Sequence, residues 1–271
     1  MLTFNLRILL TLNVIATVKR DLAKLLPDVK SSHLTEAIAR GFGFASHASL
    51  RAALKQSEVL LSDADGLQFS TFLNDRGDDT KAVIFWHAAA RAAIGEVMAR
   101  EPRLSRWGYY VGRPKRKDDG KIETPREHHA RFLVERESLL SDIAVEEFLR
   151  GLVLVGQHAP TKTINPRSGS YGLKHRAEKL ACAYPDGTRL GPAYVANGSL
   201  IVAAVHAGFS YKTHLDELGY EGVNVTFNMS QTSLDDTLYR FLGSWGLTEK
   251  RAKMAAKRVQ KGDIGTASSS R

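Results

Sequence analysis

The sequence is poor in the residues and motifs that usually announce a chemistry. It has one cysteine, Cys182, in 271 residues. An intramolecular disulfide is excluded, and so is a zinc site built on several thiolates. Cys182 lies in the run Ala181-Cys182-Ala183 of an expected helix and reads as a small core residue. No His-Glu-x-x-His pattern occurs, and the densest histidine group, Glu127-His128-His129, has no second cluster at ligand spacing. No metal and no cofactor are therefore expected. A Walker loop, a Gly-x-Gly-x-x-Gly turn and a Gly-x-Ser-x-Gly elbow are all missing. The two glycines of Arg40-Gly41-Phe42-Gly43-Phe44 follow a helical pattern and read as its stop.

Long apolar runs are missing too. Residues 8–18 are apolar but shorter than the roughly 20 residues a membrane-spanning helix needs. Arg7 is the only basic residue ahead of them, and Ala16-Thr17-Val18 fits a signal cleavage site poorly. The expectation is a cytoplasmic protein without a membrane span, in which this run is buried or faces a partner.

Positive charge is what the chain does have. There are 38 Lys+Arg against 29 Asp+Glu, for a net charge of +9. Such a surface concentrates polyanions, whether DNA, RNA or anionic lipid. At 43% hydrophobic residues and this length, the chain can bury a sizeable core.

Helical periodicity dominates. Residues 2–26 read as one long helix ended by Pro27, and residues 32–42 as a second that Ser32 can cap. Ser46 can cap a third over residues 47–55. Residues 57–66 read as a linker, and the alternation in residues 68–73 as a strand. An alanine-rich helix is expected over residues 81–100, and a strand over residues 107–111. Further helices are expected over residues 126–155 with a break near Ser138, and over residues 170–183 and 194–207. A strand at residues 223–227 precedes two closing helices, 235–245 and 248–261. The fold class is mainly α (α+β), bundle-like with a few short strands, divided into a helical module (1–58) and a larger helical domain (64–271).

Three stretches carry candidate chemistry. Residues 103–117 hold Arg103, Arg106, Arg113, Lys115, Arg116 and Lys117 without an acid, interleaved with Trp107, Tyr109 and Tyr110. Cations can hold phosphates while aromatic faces stack on bases. The C-terminal residues 246–271 carry seven basic residues, Arg271 among them, against two acids. Lys250, Lys253 and Lys257 share one helical face there, with Arg258 beside them, as a helix lying along a phosphate backbone would have it. In the third stretch, Lys174 and Arg176 make a polar helix suited to phosphate, and His175 with Glu178 stands at i, i+3, where a carboxylate can orient an imidazole. Leu34 to Lys55 also has the outline of a helix-turn-helix, exposing His47, Ser49, Arg51 and Lys55.

Residues 19–54 combine a basic helix, Ser32-His33, a Leu-x-x-x-Ile-Ala helix, and Gly43-Phe44 before a capped final helix. This segment resembles the short helical module called glyoxalase-related in plasmid- and phage-borne proteins. The resemblance implies a mobile-element origin and carries no glyoxalase chemistry. The expected function is a nucleic-acid-binding accessory protein of such an element. The alternatives are a protein-interaction or inhibitor module using residues 8–18, and a hydrolase of a phosphate ester or nucleic acid using His175, Glu178 and His128 or His129.

Overall fold

The alanine-rich segment forms the axis of the fold. In the computed structural model, which describes residues 1–57, 59–244 and 246–268 and side chains as far as 262, the helix is Ala82–Arg100. Phe85, Trp86, Ala88, Ala89, Ala90, Ala92, Ala93, Ile94 and Val97 are all buried along it. Burial nearly all round follows from small side chains, which let neighbouring helices approach from several directions. It is the one helix among the described residues long and apolar enough to cross a membrane, and 61% of its most apolar window is buried inside the protein.

The chain reaches this axis through β1 (Leu2–Thr3), β2 (Arg7–Leu10), α1 (Leu12–Leu25), α2 (Ser31–Gly41), α3 (His47–Gln56), β3 (Leu60–Asp63) and α4 (Gly66–Asn74). The axis is α5. After it come the hairpin β4 (Leu104–Ser105) and β5 (Gly108–Tyr109), α6 (Pro125–Glu137), a 3-10 turn (Ser138–Leu140), and α7 (Asp142–Val155). Then follow α8 (Ser170–Ala177), β6 (Cys182–Ala183), α9 (Asn197–His206), β7 (Tyr211–Leu215), β8 (Glu221–Phe227), α10 (Gln231–Leu242) and α11 (Glu249–Ser268). Helices α1, α4, α7 and α9 all pack on α5. The fold is mainly α, with 53% of residues helical and 13% in short strands. One continuous core runs from Phe4 to Leu234.

Several local expectations are corrected. Residues 2–26 are not one helix. Ile8 and Leu10 point into the core while Arg7 and Leu9 point out, and β2 pairs antiparallel with β3, Leu9 opposite Leu61. The expected linker thus contains a strand, and the apolar run of residues 8–18 divides between β2 and α1, where Thr11 caps the helix through the Val14 amide. Residues 68–73 are helical. The Asp65 carboxylate accepts the Leu67 and Gln68 amides, and Phe69, Ser70 and Leu73 are buried at helical spacing. Cys182 is buried as expected, but in β6, which pairs parallel with β1. The helix at residues 170–183 therefore ends at Ala177. Trp245, the expected end of the helix over residues 235–245, lies outside the described residues, and so does Arg271. Ser46 caps α3 as expected, here in a capping box with Ser49, and the break comes after Glu137, near the expected Ser138.

The two C-terminal helices are joined by charge. Arg251 is paired with Asp235, and Arg258 lies 2.7 Å from Asp236. Ala255 and Val259 of α11 are buried beneath these pairs. Beside α10, the His158 imidazole meets the Ser233 hydroxyl at 3.0 Å.

Burial pushes the His158 and His206 imidazoles down to about 4, with nearby Arg176 adding to the effect at His158. Unfolding returns both to about 6.5. Stability is therefore full above about pH 6.5 and declines toward pH 4, because there the unfolded chain takes up protons that the folded one refuses. Each histidine accounts for at most about 3 kcal/mol over that window. Urea midpoints are expected to fall between pH 7 and pH 5, and less so in His158→Asn. A midpoint level across that range in the parent protein would contradict the buried neutral imidazoles.

Candidate functional site

The β4–β5 hairpin turns through Arg106 and Trp107, with Leu104 opposite Tyr109 and Ser105 opposite Gly108. The Ser105 hydroxyl accepts the Trp107 amide at 3.2 Å and donates to the Tyr110 carbonyl at 2.6 Å, which closes the turn. Gly108 has φ +136°, and a Cβ there would stand 2.1 Å from the Val223 carbonyl, so only glycine fits. Gly198 is as constrained: a Cβ would fall 1.8 Å from the Ser105 carbonyl. The start of α9 is thus pressed against the hairpin, and the Gly198 amide donates to the Arg106 carbonyl at 2.9 Å.

A buried carboxylate underlies this contact. Glu147 of α7 is fully buried and accepts Arg106 Nη2 at 2.6 Å, Arg106 Nε at 3.3 Å and the Ser199 hydroxyl at 2.8 Å. The bond to Glu147 raises the Arg106 guanidinium further above its usual range. Asn197 completes the junction, donating to the Trp107 and Val223 carbonyls.

Helix α8 supplies the adjoining surface. Leu173, Ala177 and the following Leu180 are buried on one side, while Tyr171, Lys174, His175 and Glu178 stand along another at i, i+3, i+4 and i+7, with Lys174 itself buried. Its start is stitched to β8 by the Ser170 hydroxyl, which accepts the Val225 amide at 3.1 Å. Lys174 donates to Glu178 at 2.9 Å, and His175 Nδ1 meets the other Glu178 oxygen at 2.7 Å. Burial alone would raise the Glu178 carboxyl, but the bonds from Lys174 and His175 hold it below its usual range. The Lys174 ammonium lies 4.7 Å from the Tyr194 ring centroid and 5.6 Å from that of Tyr171. Arg150 fixes the loop that carries Tyr194, donating to the Leu190 and Tyr194 carbonyls.

The outcome is a row of rings. Trp107 is 51%, Tyr194 54% and Tyr171 56% exposed. Trp107 stands between two hollows. One, of about 240 Å³, is lined by Trp107, Val111, Lys115, Arg131 and Val223. The other, of about 110 Å³, is lined by Arg106, Trp107, Glu135, Tyr194 and Ala196. The basic loop and the α8 segment therefore adjoin one face.

The expected phosphate contacts fall into three groups. Lys115, Lys250 and Lys257 are exposed and their ammonium groups pair with no acid among the described residues, although the Lys115 amide donates to Glu123 at 2.8 Å, and the Arg116 side chain donates to the Gly120 carbonyl. Arg113 pairs with Asp216 at 2.6 Å, Lys117 with Glu127 at 2.7 Å, Lys253 with Glu249 at 2.6 Å, and Arg258 with Asp236. Lys174 is only 6% exposed, and Arg176 is half-buried with Nη1 enclosed and without a hydrogen bond. Both face the protein rather than solvent. The α11 basic residues lie with α10 rather than with the row of rings. Of the remaining histidines, His128 meets the Gly112 carbonyl at 2.9 Å, and His129 packs on Phe132. Among the described residues no group of three or more His, Cys, Asp or Glu is placed to hold a metal. Of the helix-turn-helix residues, Arg51 and Lys55 are exposed, whereas Ser49 is taken up in the cap of α3.

Sequence reading missed Tyr194, Glu135, Glu147 and Asn197. Two signals were present: a glutamate inside the apolar run of α7, and Asn197-Gly198-Ser199 opening an otherwise apolar helix. No family model matches the chain, and comparison with curated proteins and with solved structures finds no match.

The clasp makes an asymmetric prediction. Arg106→Met leaves a carboxylate buried without a counter-charge and is expected to cost about 3–5 kcal/mol. Glu147→Gln leaves a guanidinium that reaches solvent and should cost less. Urea unfolding of the two variants checks the order; equal costs would mean that Glu147 is not charged in the fold.

Proposed function

We propose that this protein binds single-stranded nucleic acid on the face of Trp107, Tyr194 and Tyr171. It would act as a cytoplasmic accessory protein of a bacterial mobile element, without a cofactor. The observation that carries the reading is the exposed indole of Trp107 between two hollows, one offering Lys115 and the other Arg106. Rings that stand out of a surface beside cations suit splayed bases, with the backbone tracking the charges. A duplex keeps its bases stacked on each other and offers such rings nothing. Lys115 and Arg116 are the phosphate contacts nearest this face, with Lys250 and Lys257 on α11 as a second basic surface.

Fluorescence anisotropy with labelled single-stranded DNA, single-stranded RNA and duplex DNA, each at two salt concentrations, tests the reading. Trp107→Ala should weaken single-strand binding about 5- to 150-fold, the equivalent of losing one stacked base, and leave duplex binding unchanged. Joint Lys115→Ala and Arg116→Ala should flatten the salt dependence. Equal binding to all three forms that disappears with salt, unaffected by Trp107→Ala, would sink it.

A second reading is favoured by one distance. The 2.7 Å contact of His175 Nδ1 with Glu178 leaves Nε2 available as a general base, so the same face would suit a hydrolase of phosphate esters. Incubation with end-labelled strands decides it. Cleavage that His175→Ala abolishes supports the hydrolase, and strands intact across pH 5 to 9 retire it.

A further inference from the structure

The smaller hollow beside Trp107 has its own chemistry. At about 110 Å³ it lies well below the roughly 300–1,000 Å³ of a drug-sized site. A single planar ring system is the scale it suits, and Trp107 and Tyr194 supply exposed rings on its lining. Its polar groups are few. Arg106 gives Nε and Nη2 to Glu147, and its Nη1 makes no hydrogen bond among the described residues. The Glu135 carboxylate makes no hydrogen bond or ion pair among the described residues, while its main-chain carbonyl accepts the Arg106 amide at 3.1 Å. A residue with a guanidinium donor and one with a two-oxygen acceptor thus line the same hollow, their main chains joined by that bond.

Only one common base matches that pair. Guanine carries adjacent donors at N1–H and N2–H2, which one carboxylate accepts together, and next to them the O6 acceptor, which a guanidinium can bind. Adenine and cytosine would turn a ring-nitrogen lone pair toward the carboxylate. Uracil and thymine have a single N–H between two carbonyls.

We infer that the hollow between Trp107 and Tyr194 is a guanine pocket, with Glu135 accepting N1–H and N2–H2 and Arg106 donating to O6. This rests on the single-strand reading above and names what that strand presents. The stacked rings give affinity for any base, and the Glu135–Arg106 pair selects among them.

The test uses the full chain and short uridine or thymidine oligonucleotides, in RNA and DNA form, carrying one central guanine, inosine or adenine. A guanine should tighten binding about tenfold over adenine, and inosine, which lacks the N2 amino group, should forfeit most of that gain. Glu135→Gln, a near-isosteric change at a surface position, should erase the guanine preference and leave affinity for guanine-free oligonucleotides intact. Guanine-free oligonucleotides that bind as well as guanine-containing ones overturn the pocket and leave single-strand binding standing. So does a guanine preference that survives Glu135→Gln. Failure of every oligonucleotide to bind overturns both.

Discussion

The Glu147 carboxylate is the constraint on which the candidate face depends. A carboxylate removed from water loses several kcal/mol of hydration, and only close, well-shaped partners offset that loss. Arg106 comes from the hairpin, Ser199 from α9 and Glu147 from α7, so satisfying one charge locks three segments distant in sequence. The lock carries the rest of the geometry with it. Gly198 lies against the hairpin backbone, Asn197 holds the Trp107 carbonyl, and the indole is left as the part of the turn that faces solvent. Tyr110, just beyond, keeps a positive φ of 66°, a conformation rare for a tyrosine and held here by its bonds to Arg103 and Ser105.

Charge and rings divide the work on this surface. The excess of basic residues suggests phosphate contacts throughout, yet many of the cations are already engaged. Arg113, Lys117 and Arg258 each face an acid, and Glu127 is held down to about 2 chiefly by Lys117. Ion pairs of this kind near the surface contribute little to stability, so a polyanion could compete for them but would gain little from each. A stacked base contributes about 1–3 kcal/mol. On the single-strand reading, the three exposed rings would therefore outweigh the basic loop in choosing what binds, and the loop would contribute mainly to encounter and salt dependence.

The helices were legible where the local code was complete. Ser46 with its capping box, the alanine-rich α5 and the break after Glu137 follow from spacing and caps alone. The short strands were not. The residues of β2 fit both periods over four positions, and their choice is made by β3, more than fifty residues away. Residues 68–73 show the converse: alternation suggests a strand, but Asp65 caps a helix whose Phe69 and Leu73 are buried in the core. The candidate site was half legible. Trp107, Lys174, His175 and Glu178 stand out as residues in context, but that Lys174 turns inward, and that Tyr194 and Glu135 join the face, depends on packing between segments that no spacing rule connects.

The α8 face shows why binding is the more economical reading of the two. Both oxygens of Glu178 are occupied, one by Lys174 and the Val195 amide, the other by His175. Val195 adjoins Tyr194, so the carboxylate that orients the imidazole also anchors the loop presenting a ring. A structural task accounts for the geometry of Lys174, Glu178 and Tyr194 without any reaction. A hydrolase would need the same anchored ring to seat its strand, and in addition a water or hydroxyl delivered to His175 Nε2. The binding surface is therefore the common requirement of both readings, and catalysis is a further step built upon it.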